Sequence, residues 1–204
     1  MQTIESVSEL EALYDVTVQG AIDKVCDHIT PLYRRWIGAS RFVILSTVGP
    51  EGTDASPRGD RDEVVRISNP KTILMPDWRG NNRLDSLKNI VRDGRLSLMF
   101  MVPGSNTVVR VNGTATLTAQ AGITEQFKQQ GKFPRTVIVI AVDEVYFQCA
   151  EALMRSRLWS VGDESEGLPT AGEFLQENLP EFDAASYDAG YPEYAKDRLW
   201  WVAG

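Results

Sequence analysis

The sequence is short of the residues that most enzymes use for acid–base or metal chemistry. It has one histidine, His28, and two cysteines, Cys26 and Cys149, in 204 residues. A zinc site needs several His or Cys ligands, and a Ser-His-Asp triad would have to use His28 with no nucleophile-elbow sequence to support it. Two cysteines make no disulfide framework, so a reducing compartment is the expectation. Neither G-x-G-x-x-G nor a Walker A motif occurs, which leaves a dinucleotide fold or a P-loop without support. The longest aliphatic run, "VIVIAV" (Val137–Val142), is far too short to span a bilayer. The first residues, "MQTIESVSEL", have neither a basic start nor an apolar core, so a cytoplasmic location is expected. Positive charge is also in deficit: 21 Lys and Arg against 28 Asp and Glu give a net charge of −7, which argues against non-specific binding to nucleic acid or an anionic membrane.

Along the chain the pattern predicts an irregular helical start, then a run of strands. "SELEALY" (Ser8–Tyr14) opens on a Ser-x-x-Glu capping box, "GAIDKVCDHI" reads as a second helix carrying His28 on one face, and Pro31 ends or restarts a helix. "RFVILSTV", "TDASPRGD", "EVVRI", "KTILMP", "RLSLMFMV", "TVVRVNGTATLTA" and "RTVIVIAVDEVYFQ" read as strands, the last as a pair or one long bent strand. "GITEQFKQQG" suggests a short surface helix. The expected organisation is one domain over 1–204: a helical segment 1–40, a barrel over about 41–150, and a helical and loop extension 151–204. Closely spaced strands with one inserted helix suggest a mainly β fold, a closed or partly open antiparallel barrel.

That inserted helix lies in "WRGNNRLDSLKNI" (Trp78–Ile90). Leu84, Leu87, Ile90 and Val91 recur at helical spacing, with Asn82 as the expected N-cap and Asp85 completing an approximate capping box. This puts Arg83 in the first turn, where the helix dipole disfavours a cation. A bound anion reverses the sign. Free N–H groups, Gly80 for close approach, and donors on Asn81, Asn82 and Arg83 would together suit a phosphate. The alternative is an exposed Arg83 paired locally with Asp85 or Asp77. Two further stretches stand out. In "ASPRGD", Pro57 marks a sheet edge or bulge, Gly59 suits close approach of a backbone or a flat ligand, and Ser56 and Arg58 share a strand face. In "CAEALMRSRLW", Arg155, Arg157 and Trp159 could cover a ring ligand, although Leu153, Met154 and Leu158 also fit a short amphipathic helix.

The order of these motifs resembles the FMN-binding split-barrel family related to pyridoxamine 5'-phosphate oxidase, over roughly Arg35 to Trp159 and through "PDWRGNNRLDSLKNI" and "RSRLW" in particular. The resemblance implies a six-stranded antiparallel split barrel and a homodimer with two FMN molecules at its interface. By position, Ser56, Pro57, Arg58, Gly59 and Asp60 would lie along the flavin and ribityl chain. Met75 and Pro76 would flank the ring, and Asn81, Asn82 and Arg83 would meet the phosphate. Thr107 or Val108 would meet the flavin of the partner. The reading is an FMN-dependent oxidoreductase that passes hydride to flavin N5, with an unidentified small substrate. A storage or regulatory flavin binder is the second reading, and a haem-binding relative the third. The family's oxidase uses an Arg-x-His segment near its carboxyl terminus. Here "DRLWWVAG" has Arg198 but no histidine, which argues against oxidation of pyridoxamine phosphate.

Overall fold

The computed structural model describes residues 1–196. "DRLWWVAG" and its Arg198 lie outside the described residues. Three short helices come first: α1 (Val7–Glu11), α2 (Gln19–Asp23) and α3 (Pro31–Ala39). The first is capped by Ser6, whose hydroxyl accepts from Glu9 N, and not by Ser8. Pro31 starts α3 at the position where its missing N–H costs nothing, with Thr30 as cap. His28 is on no helix. The chain leaves α2 at Asp23, and Cys26 exchanges both backbone hydrogen bonds with Val145 (2.9 and 2.8 Å). His28 is exposed and touches Asp27 at 2.7 Å.

Seven strands follow: β1 (Phe42–Gly49), β2 (Gly52–Gly59), β3 (Arg66–Asn69), β4 (Thr72–Asp77), β5 (Arg95–Met101), β6 (Val108–Thr118) and β7 (Thr136–Gln148). They form one antiparallel sheet in the order β2-β1-β5-β6-β7-β4-β3. The expected six strands are therefore seven, because Arg66–Asn69 adds a short edge strand, and the hydrogen-bonded ladder does not close. "EVV" is not strand, yet Val64 and Val65 are buried in the core. Pro57 sits on β2, an edge strand, where a missing N–H is tolerated. The last apolar stretch is one strand. Asn112 opposes Glu144 but Gly113 opposes Val142, so Asp143 is the extra residue of a bulge that bends β7. Beyond Ala141, β7 has no partner in β4, and Cys26 covers part of that edge.

The core lies inside the curved sheet, with Val43, Leu45, Leu98, Phe100, Val111, Ile138 and Ile140 fully buried. These are the inward positions of a period-two alternation, clearest in β5, where Leu96, Leu98 and Phe100 are buried and Ser97 and Met99 are not. One helix, α4 (Asp85–Arg92), rests on β1. Its buried residues are Ser86, Leu87, Asn89 and Ile90, while Leu84 and Val91 of the expected stripe are exposed. The helix turned because its polar residues have partners. Asn89 Nδ2 donates to Thr47 Oγ1 at 3.2 Å, and Ser86 Oγ donates to an Asp54 carboxylate oxygen. A Cβ on Gly49 would lie 2.3 Å from Asn89 Oδ1, so glycine is what lets β1 and α4 approach.

After β7 come α6 (Glu151–Ser156), α7 (Ala171–Asn178) and α8 (Ala184–Lys196); α5 (Ala121–Thr124) lies in the β6–β7 connection and runs into a short 3₁₀ turn. Among the described residues no helix is long and apolar enough to cross a membrane.

Two exposed carboxylates carry a pH signature. Hydrogen bonds from His28 and Lys71 lower Asp27 to about 2, and hydrogen bonds from the Arg95 side chain and backbone lower Asp93 to about 2. A depressed folded-state pKa adds stability that is complete above the unfolded value near 3.8 and is lost as pH falls through the folded one. Thermal melts from pH 5 to pH 2 should therefore show a shallower loss in Asp93→Asn than in the parent chain. An unchanged slope would contradict the assignment.

Candidate functional site

The split in the sheet is also its cleft. Strands β2 and β4 are not neighbours in the ladder, but side chains tie them across the gap. Arg58 Nη1 meets Asp77 Oδ1 at 2.6 Å, and both are largely shielded, with side chains 23% and 15% exposed. One strand end further on, Asp60 Oδ2 accepts from Trp78 Nε1 and from Gln129 Nε2, each at 3.0 Å. The cleft between has a volume of about 550 Å³, within the range of small-molecule sites. Asp54, Ser56 and Arg58 supply one wall, Asp77 to Leu84 a second, the first turn of α4 a third, and Arg135 and Thr136 at the start of β7 the fourth.

Two polar atoms in this wall are buried with no hydrogen-bond partner: Arg58 Nε, a donor, and Thr136 Oγ1. Buried polar groups are normally satisfied, and both of these belong to residues that line the cleft. The loop into α4 adds a second anomaly. Asn82 and Leu84 have φ of 62° and 65°, a left-handed conformation that is uncommon for a bulky residue such as leucine and that concentrates at functional sites.

That loop differs from the expected helix start. Because Asn82 and Leu84 are left-handed, the helix begins only at Asp85, and its N-cap position is Leu84, which makes no side-chain cap. Asn82 is not the cap. Arg83 precedes the first turn, its N–H donating to Asn81 Oδ1 at 3.0 Å and its Nε to Asp85 Oδ2 at 2.5 Å. The Arg83 side chain is 79% exposed, so its local pairing with Asp85 is what the structure shows. Exposed pairs contribute about 0–1 kcal/mol. Arg83→Ala should accordingly change the stability of the ligand-free protein by less than about 1 kcal/mol in a denaturant melt; a larger loss would mean that the loop depends on this pair.

The other expected site residues divide into three groups. Ser56 and Arg58 share a face and line the cleft together with Asn81, Asn82 and Arg83. Pro57, Gly59 and Asp60 do not line it, though Asp60 braces its rim, and a Cβ on Gly59 would meet Arg41 O at an ordinary 3.5 Å. Met75 and Pro76 are buried away from the lining, Met75 within the core at 1% exposure. The third group gathers elsewhere. Trp159 Nε1 donates to Ser105 O at 2.8 Å, which sets the "RSRLW" segment against the loop before β6, beside half-buried Thr107 and buried Val108. Arg155 pairs with Glu151 at 3.3 Å, and Arg157 ends α6 at φ 53°. Val108 pairs with Gln148 and Val137 with Thr118, so this cluster and the cleft sit at opposite ends of β7. At the β2 wall the relation differs: Arg58 shares a cross-strand row with Val43, Phe100 and Val109, which is next to Val108.

Asp54, Ser86, Trp78, Arg79, Arg135 and Thr136 were not expected in the site. Thr136 was within reach of a pairing argument, since it opposes Asp77 across β4 and β7. Nothing local in the sequence marks Asp54.

The fold is thus an antiparallel sheet split on one side, with an arginine-lined cleft of small-molecule size at the split. Residues 29–149 match the family model for pyridoxamine 5'-phosphate oxidase, more than half of the chain, and the chain belongs to that family. No curated protein matches it. Among solved structures it is similar to HupZ from Group A Streptococcus, with 18% identity over 58% of this chain and 93% of that one and a TM-score of 0.49. It is also similar to an FMN-binding protein from Syntrophomonas wolfei, at 14% identity over 70% and 92% with a TM-score of 0.43. General stress protein 26 from Bacillus anthracis matches at 14% identity over 56% and 88%, with a TM-score of 0.43. No group of three or more His, Cys, Asp or Glu suited to a metal occurs among the described residues.

Proposed function

We propose that the chain is a flavoprotein that binds FMN in the split and uses it as an oxidoreductase on a small substrate. The observation that carries this reading is a cleft of suitable size into which Ser56 and Arg58 of β2 and Asn81, Asn82 and Arg83 of the facing loop are gathered. The family membership supports it. Arg58, with Asn81, Asn82 and the exposed fork of Arg83, would hold the phosphate, while Ser56 would lie beside the ribityl chain. Bound there, FMN would supply reversible hydride chemistry, and the protein's task would be to place it and shield it. This explains why the chain needs no histidine-based acid–base pair.

The site is completed by a second copy. The cluster at Thr107, Val108 and Trp159 does not line its own cleft, and a two-fold dimer would bring it to the partner's. The outer face of the sheet is suited to such contact. Pro57, Ile44, Met99, Arg110 and Tyr146 form one cross-strand row. Within it Arg110 Nε is buried without a partner, and the guanidinium stacks 5.3 Å from the Tyr146 ring.

Fluorescence titration of flavin-free protein tests the reading. FMN should bind at least about tenfold more tightly than riboflavin, since a charge-assisted hydrogen bond to a phosphate contributes about 1.5–3 kcal/mol. Equal affinities would remove the phosphate from this cleft.

A further inference from the structure

The cleft carries more arginine than one phosphate site uses. Arg58, Arg79, Arg83 and Arg135 all line it, in a chain whose net charge is −7. Two of the four have a carboxylate each: Arg58 meets Asp77, and Arg83 meets Asp85. Arg79 and Arg135 are exposed and have no ion-pair partner among the described residues. The remaining acid of the lining, Asp54, accepts from Ser86 in the first turn of α4. Uncompensated cations in one concavity repel each other and focus a positive potential there, and a bound anion relieves the repulsion.

The two unpaired arginines are also placed by different elements from Arg83. Arg83 is held beside the start of α4, where Asp85 engages its Nε. Arg79 and Arg135 are placed by β4 and β7. Asp77 opposes Thr136 at the end of that ladder, Arg135 directly precedes Thr136, and Arg79 lies two residues beyond Asp77. In the flavin reading the phosphate already has Arg58, Arg83 and two asparagines. A guanidinium fork matches the paired oxygens of a carboxylate or a phosphate.

We propose that Arg79 and Arg135 form a second anion subsite in the cleft, and that the small substrate carries an oxyanion, a carboxylate or a phosphate ester, which they hold beside the flavin. The substrate assignment rests on the flavin reading above; the anion subsite rests on the two arginines alone.

The test is calorimetric titration of FMN-saturated, full-length protein with inorganic phosphate and with benzoate at constant ionic strength, while flavin absorption verifies that FMN stays bound. At least one anion should bind, and the tighter of the two distinguishes phosphate ester from carboxylate. In the Arg79→Gln, Arg135→Gln double variant that affinity should fall at least about tenfold, while FMN affinity, read by flavin fluorescence, stays within about threefold. The Arg34→Gln, Arg35→Gln variant removes the same charge from α3, outside the cleft, and should keep both affinities. Binding of neither anion, unchanged anion affinity in the double variant, or an equal fall in the α3 variant would overturn the proposal and leave the flavin reading standing. So would a loss of FMN affinity in the double variant as large as the loss of anion affinity, because the two arginines would then belong to the flavin phosphate. Parent protein that binds no FMN defeats the flavin reading and the substrate assignment with it.

Discussion

Arg58→Ala should weaken FMN binding by roughly ten- to a hundredfold, the loss of one charge-assisted hydrogen bond from a shielded guanidinium. The same change should cost the ligand-free protein about 1–3 kcal/mol. It removes the side chain that spans the split and leaves Asp77, 15% exposed, without its cation. Arg58→Lys separates the two effects. A lysine can still neutralise Asp77, so most of the stability should return, but it lacks the planar guanidinium fork that could hold Asp77 and a phosphate together, so FMN affinity should stay low. Denaturant melts and flavin fluorescence read the two quantities independently. A folded Arg58→Ala protein with unaltered FMN affinity would move the ligand out of this cleft.

The second large effect is expected far from the cleft. Gly113→Ala should destabilise the protein by several kcal/mol, on the order of 3 or more. A Cβ there would lie 2.0 Å from Ala141 O and 3.1 Å from Ala141 C, both backbone atoms of the neighbouring strand. Neither can rotate away. The clash falls at the bulge between β6 and β7, which holds the longest strand pairing in the sheet. Differential scanning calorimetry should show a fall in Tm well beyond that of Gly122→Ala, where no atom lies within 4 Å. Equal Tm changes would mean that the bulge absorbs the methyl group.

These two residues show what the sequence could and could not reveal. Arg58 was legible. Period-two alternation puts it on a face with Ser56, and Pro57 between them marks an edge strand, both as found. Its partner was not, because Asp77 is nineteen residues away and meets it across strands that share no ladder. Gly113 is only one more glycine in a strand until Asp143 is known to bulge opposite it. The helix after "GNN" was misjudged at its start because apolar spacing cannot show that Asn82 and Leu84 adopt left-handed backbone. Its buried face was misjudged because Ser86 and Asn89 find hydrogen-bond partners on β2 and β1, which only the tertiary fold supplies. The same holds for Cys26, where a helical pattern yields to the free edge of β7. Strand existence was well marked by alternation and turns, and the strand count exceeded the family expectation by one short edge strand, Arg66–Asn69.

The cluster around Trp159 teaches a different lesson. Its motif is visible in the sequence, but none of Thr107, Val108, Arg155, Arg157 and Trp159 lines the cleft of its own chain.

The most direct test of flavin binding is the cofactor itself. Protein saturated with FMN and freed of excess by gel filtration should be yellow and, on heating, should release FMN that chromatography separates from FAD and riboflavin. About one FMN per chain is the expected yield, from one cleft per chain. Protein that emerges colourless, or that keeps riboflavin as well as it keeps FMN, would contradict the assignment of this cleft to the phosphorylated flavin.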